Sequence, residues 1–144
     1  MRIAVGADAT GALTDALVAD LRERGYEVLL YGALADGSDA WASIGRAVGE
    51  EVSAARADRG VVCCWTGTGI SIAANKVDGV RAALCADAVT AEGARRWNDA
   101  NVLALSMRAT TPAVGLEILA AFLRTPATSE PAEQREIDKL NCAT

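Results

Sequence analysis

The chain has 144 residues, 51% of them apolar but only 4% aromatic, with 14 basic against 19 acidic side chains and no histidine. A net charge of −5 leaves no basic patch to neutralise phosphate backbones, which argues against nucleic acid or an anionic membrane surface as a partner. No apolar run approaches the length of a membrane span, and the start Met-Arg-Ile-Ala-Val-Gly reads as a strand rather than a signal peptide, so a cytoplasmic protein is expected.

Residues 2–6 are a short apolar strand ending in glycine. From Ala12 to Arg24 the pattern is that of an amphipathic helix, with Leu13, Leu17 and Leu21 on one face and Gly25 as its stop. Tyr26 to Tyr31 is a second strand, and Gly32 to Ser38 a polar loop. Helical spacing resumes over 41–56 through Ile44, Val48 and Val52. A continuous apolar strand from Val61 to Trp65 follows, the kind expected when both faces of a sheet are covered. After a glycine-rich turn a helix is expected to begin near Ser71 and run through Lys76. Val80 to Cys85 is a fourth strand, Ala88 to Trp97 a helix, Asn101 to Ser106 a fifth strand and Pro112 to Leu123 a long helix. One more helix is expected around Ala132 to Leu140. Strands alternating with helices predict an α/β fold: a Rossmann-like three-layer sandwich on a five-stranded parallel sheet, as one domain over residues 1–144.

In such sheets ligands bind beyond the carboxyl ends of the strands. Three of those ends carry informative residues: Gly6-Ala7-Asp8, Cys64-Trp65-Thr66-Gly67-Thr68-Gly69 and Ser106-Met107-Arg108. A strand, then Gly-x-Gly, then a helix start makes a nest of backbone N–H groups suited to an anion. The dinucleotide fingerprint is not met, because a third glycine is missing from its place and the next strand closes on Leu84-Cys85. Cys64 sits at the top of a strand just before the nest, where positive potential favours a thiolate able to act as base or nucleophile. The alternative for Cys64 is a small buried hydrophobe. Cys63 should point to the opposite face as a structural residue, and Cys85 and Cys142 read the same way. Adjacent cysteines on a strand cannot readily pair, which counts against a redox role.

Gly69-Ile-Ser-Ile-Ala-Ala-Asn-Lys-Val77, Gly79-Val-Arg-Ala-Ala-Leu-Cys85 and Trp97-Asn-Asp-Ala-Asn-Val-Leu103 occur in that order. In them the chain resembles the family of ribose-5-phosphate isomerase B and galactose-6-phosphate isomerase, and the similarity runs from the Gly-x-Asp at 6–8 to Phe122-Leu-Arg-Thr-Pro126. The resemblance implies a homodimer, with a dimer of dimers as its larger form, an active site between subunits, and neither metal nor organic cofactor. It implies aldose–ketose isomerisation of a sugar phosphate through an enediolate. Cys64 would be the base, Thr66 a second catalytic residue, and the loop through Gly67, Thr68 and Gly69 the anion hole. Asp8, Asn98, Arg108 and Arg135 match positions that contact the substrate. Asn75 and Lys76 also match, with a structural role at their helix as the alternative.

Several positions depart from the family pattern. Ala9 and Trp97 stand where the family carries histidines, the second of them associated with opening the sugar ring. Trp65 replaces a glycine, and the region around Trp41 replaces Tyr-Pro-Asp. Of the C-terminal arginine cluster, Arg135 matches and Arg124 is a possible substitute. These departures point to a substrate shifted from ribose 5-phosphate, such as one already open-chain. Trp41, Trp65 and Trp97 either stack on a sugar face or fill space left by missing polar groups. The competing reading is a non-catalytic sugar-phosphate-binding member, or a subunit that needs a paralogous partner.

Overall fold

The computed structural model describes residues 1–38 and 40–141; Cys142 lies outside them. The elements are β1 (Arg2–Ala7), α1 (Ala12–Glu23), β2 (Glu27–Gly32), α2 (Trp41–Ser53), β3 (Arg59–Cys64), α3 (Thr68–Asn75), β4 (Ala82–Leu84), α4 (Ala88–Asn98), β5 (Val102–Ser106), α5 (Pro112–Arg124) and α6 (Pro131–Leu140). The strands form one parallel sheet in the order β2-β1-β3-β5-β4. From β1 the chain first turns to β2 on one side and then crosses to β3 on the other, so the strand order reverses between β1 and β3. That crevice is where an open α/β sheet presents a ligand.

Side chains alternate across the sheet with period two. Ile3, Val5, Val61, Cys63, Leu103 and Leu105 face a core shared with Leu13, Leu17 and Leu21 of α1 and Ile118, Leu119 and Phe122 of α5. Ala4, Val62, Cys64, Val102 and Ala104 face the opposite layer, against Ile44 and Val48 of α2 and Ile70 and Ala74 of α3. The three-layer sandwich predicted from the sequence is therefore present. Its core is built from aliphatics, with Phe122 as the one fully buried aromatic among the described residues. Two helix starts are secured by side chains: Asp87 Oδ1 accepts the Thr90 N–H at 2.7 Å, and Thr111 Oγ1 accepts the Val114 N–H at 3.3 Å.

The structure shifts some predicted boundaries. The Gly32–Ser38 loop contains a short 3₁₀ turn, Ala33–Ala35. The helix expected from Ser71 begins at Thr68, because Gly67 adopts φ +77° and caps it directly. β4 is shorter than its apolar run: the Arg81 N–H leaves the ladder and donates to Asn101 Oδ1 at 2.8 Å.

Candidate active site

β1 and β3 end side by side, with Ala7 paired to Cys63, and Cys64 is level with Ser106 across β5. Beyond them lies a cavity of about 280 Å³ lined by Asp8, Trp41, Cys64, Trp65, Thr66, Thr68 and Gly69. Strand alternation sends the neighbouring cysteines to opposite faces, as expected. Cys63 is fully buried, and burial pushes its thiol up to about 12, with the charges of Cys64 and Asp8 adding to the effect. Cys85 is likewise pushed up to about 11 by burial and then by Asp87. Cys64 opens onto the cavity, and its Sγ accepts the Gly67 N–H at 3.2 Å.

The turn that makes this contact is tightly specified. A Cβ on Gly67 would lie 2.6 Å from Leu84 Cδ1 and 2.9 Å from the Leu105 carbonyl group, and a positive φ disfavours any other residue there. Because α3 starts at once, Thr68 and Gly69 are its first turn, whose N–H groups have no intrahelical acceptor and sit at the positive end of the helix dipole. Half of the glycine-rich turn expected to precede a helix from Ser71 is thus the first turn of that helix. Thr66 Oγ1 and Thr68 Oγ1 share a hydrogen bond of 2.8 Å at its rim.

Two indoles frame the thiol. Trp41, the first residue of α2, lies against Gly69 so closely that a Cβ there would come within 2.9 Å of Cζ3. Trp65 is 65% exposed although its backbone is fixed: its carbonyl accepts from the Arg108 N–H and from Ser106 Oγ, both at 2.9 Å. Trp97 does not line this cavity. It stands on α4 with the Arg96 guanidinium over its ring.

Thr66 also borders a second cavity of about 310 Å³, shared with Leu84, Cys85, Ser106, Arg108 and Thr110. The exposed Arg108 side chain therefore reaches the same end of the sheet on the far side of Thr66. Asn98 and Arg135 are placed elsewhere. Asn98 ends α4 and lines a cavity of about 450 Å³ with Asn75, Arg81, Ala82 and Leu140, while Arg135 is exposed on α6. Of the nine residues proposed from sequence, seven converge on the β3 end and two lie apart within one chain. Asn75 has the structural role: its amide bonds both the N–H and the carbonyl of Ala82, at 2.8 and 2.9 Å. No group of metal-ligating side chains is present among the described residues, and no helix there is long and apolar enough to cross a membrane.

Known proteins match the chain in sequence and in fold. The sequence profile described as Ribose/Galactose Isomerase matches residues 3–140. The Arabidopsis thaliana DNA damage-repair/toleration protein DRT102 is 42% identical over 129 residues, covering 88% of this chain but only 40% of that protein. D-erythrulose-4-phosphate isomerase of Pectobacterium atrosepticum is 34% identical over 125 residues, covering 85% of this chain and 82% of the relative. Ribose-5-phosphate isomerase B of Clostridium thermocellum superposes with a TM-score of 0.91 at 36% identity, over 98% of this chain and 95% of that one.

Proposed function

The chain belongs to the ribose/galactose isomerase family of sugar-phosphate aldose–ketose isomerases, and from that premise we propose that Cys64 is the base of an enediolate mechanism on an open-chain substrate. The observation that carries the assignment is the Cys64 sulfur held by the Gly67 N–H at 3.2 Å, inside a cavity that also contains the first turn of α3. In its thiolate form Cys64 takes the proton from the carbon beside the carbonyl and returns it to the neighbouring carbon. Negative charge moves onto the carbonyl oxygen, where N–H groups of the Thr68–Gly69 turn meet it without reorganising. The hydroxyl proton moves between the two substrate oxygens, and we assign that transfer to Thr66, whose Oγ1 stands at the cavity rim 2.8 Å from Thr68 Oγ1. Atoms and electrons balance within the sugar, and no cofactor enters the step.

Substrate choice follows from what the chain lacks. With no histidine in 144 residues, no side chain of ordinary near-neutral pKa is available to open a hemiacetal ring. A tetrose phosphate esterified on its last oxygen has no free hydroxyl with which to close a furanose, so it arrives open. The Pectobacterium relative carries the name of such a substrate. The small Cys64 cavity offers two indole faces to the carbon chain, and Arg108 across Thr66 supplies a cation for the phosphate.

The separation of Asn98 and Arg135 from Cys64 supports a site between two copies of the chain, each giving one half. The same separation is equally met by the second reading, in which the completing copy is a paralogue. A panel of tetrose, pentose and hexose phosphates tests the activity: we expect the tetrose phosphate to be turned over with kcat/KM at least about 10-fold above the others. Turnover of no phosphate by a Cys64-dependent route removes the proposal. Hybrid dimers of Cys64→Ala and Asn98→Ala, purified through two affinity tags, test the shared site. One of their two sites is wild type on both sides, so about half of normal activity should return.

A further inference from the structure

The turn between α4 and β5 holds a charge cluster that the proton transfer does not use. Asp99 ends α4 in the left-handed conformation, φ 45°. Its Oδ1 accepts from Arg95 Nη1 at 2.8 Å and its Oδ2 from Arg81 Nη2 at 3.0 Å, while its main-chain carbonyl accepts from Arg81 Nε at 2.8 Å. Arg95 is 3% exposed. It donates to the carbonyls of Ala100 at 2.6 Å and Thr125 at 3.1 Å, and its guanidinium lies 5.8 Å from the centre of the Phe122 ring. Arg81 Nη1 reaches the Gly79 carbonyl at 3.2 Å and Asn141 Oδ1 at 2.6 Å, just past the end of α6. Arg59 faces the same cluster, and burial followed by repulsion from Arg95 lowers its pKa.

Buried ion pairs are a poor way to gain stability, because desolvation offsets most of the attraction, and well-packed apolar side chains would serve as well. What this cluster supplies is direction. One carboxylate fixes the residue after Asn98, and one guanidinium bonded to that carboxylate fixes the end of the helix that carries Arg135. Asn98 and Arg135 are the two substrate-contacting candidates that lie away from the Cys64 end of the sheet.

We infer that Asp99, Arg81 and Arg95 form a positioning unit that sets Asn98 and α6 as the half-site presented to the Cys64 of a second subunit. This rests on the shared-site reading above. Asp99 touches no substrate and acts through Asn98 and Arg135.

Asp99→Asn tests it, since asparagine keeps the shape and tolerates the left-handed backbone while removing the charge. The expected result is a kcat/KM reduced about 10-fold or more, chiefly through KM, with kcat changed less than threefold. In an Asn98→Ala/Arg135→Ala background Asp99→Asn should bring no further loss, because both side chains it acts through are already gone. Two-tag hybrids of Asp99→Asn with Cys64→Ala should recover about half of wild-type activity, and hybrids with Asn98→Ala should not recover. Unchanged kinetics with only a lowered Tm overturns the inference, as does a further loss in the Asn98→Ala/Arg135→Ala background or recovery with Asn98→Ala. If Cys64→Ala and Asn98→Ala themselves fail to complement, the shared site is wrong, and the effect of Asp99→Asn in the Asn98→Ala/Arg135→Ala background alone decides the role of Asp99. Should Asp99→Asn not fold, Arg81→Lys takes its place in every arm, with the same pattern expected.

Discussion

At the carboxyl end of β3 the sulfur of Cys64 meets a backbone N–H, and among the described residues lining its cavity Asp8 is the one charged side chain. At the end of α4, by contrast, a single carboxylate holds two guanidiniums, one of them buried. The first region is organised by main-chain dipoles at a helix start, the second by permanent charges crosslinking three helix ends. A dipole nest stabilises charge that appears only during reaction, and it asks little of the resting protein. A carboxylate–guanidinium cluster is charged at all times, so it serves geometry rather than chemistry. The proposed chemical half and the proposed positioning half of the site thus differ in the kind of electrostatics each uses.

The sharpest way to break that contrast is Cys64→Ala. Loss of the base should lower kcat by about 10²- to 10⁴-fold while leaving Tm nearly unchanged, as measured by steady-state kinetics beside thermal unfolding. A loss of less than about tenfold would move the chemistry away from this end of the sheet. Gly67→Ala comes next. Strained positive φ alone costs about 1–3 kcal/mol, and the new Cβ would press on Leu84 and the Leu105 carbonyl group. Denaturant unfolding should show the cost, and kcat should fall with it because the nest is displaced. An equal loss from Gly79→Ala, where a Cβ meets nothing closer than 3.8 Å, would show that backbone strain and not the nest matters.

The smallest effect separates the two adjacent thiols. Cys63 keeps its proton up to about 12 in the folded protein, while the same thiol in an unfolded chain ionises near 8.5. The folded form therefore holds more protons between those values. The stabilisation is complete below the lower one and is lost as pH rises toward the upper. Replacing Cys63 by Ala should flatten the alkaline fall of stability, measured by urea unfolding from pH 8 upward; an unchanged slope would show that the buried thiol does not contribute. In a Cys142→Ser background, mass spectrometry after brief iodoacetamide treatment should find Cys64 labelled ahead of Cys63 and Cys85, because Cys64 alone of the three opens onto the cavity beside Trp41 and Trp65.

Much of this was legible in the residues themselves. The apolar runs at Ile3, Val61 and Val102 become the central strands because continuous apolarity fits a sheet covered on both faces. The opposed fates of Cys63 and Cys64 follow from strand alternation alone. Helix starts were harder. Thr68 and Gly69 are weak helix formers, so their place in α3 depends on the cap at Gly67 rather than on propensity. The seat of Trp41 against Gly69 carries no local signal, since the two belong to elements joined only by packing. The Asp99 cluster draws on positions 81, 95, 99, 125 and 141, spread too widely for any window to reveal. The separation of Asn98 and Arg135 from Cys64 within one chain is likewise a product of topology; motif matching assigns all three to a site between subunits without showing which side each stands on.

The pairing of Asn75 with Ala82 has a consequence for how the chain meets its own copies. β4 is a border strand of only three residues, and a bare border invites another strand to join and continue the ladder. Here a carboxamide occupies the outward N–H and carbonyl of Ala82 as a neighbouring chain would. Strand addition at Ala82 is thereby blocked, which shortens the stretch of this border that a neighbouring strand could join. It also directs any association of copies near this border toward helix surfaces and side-chain contacts, where shape can limit assembly to a finite number of partners.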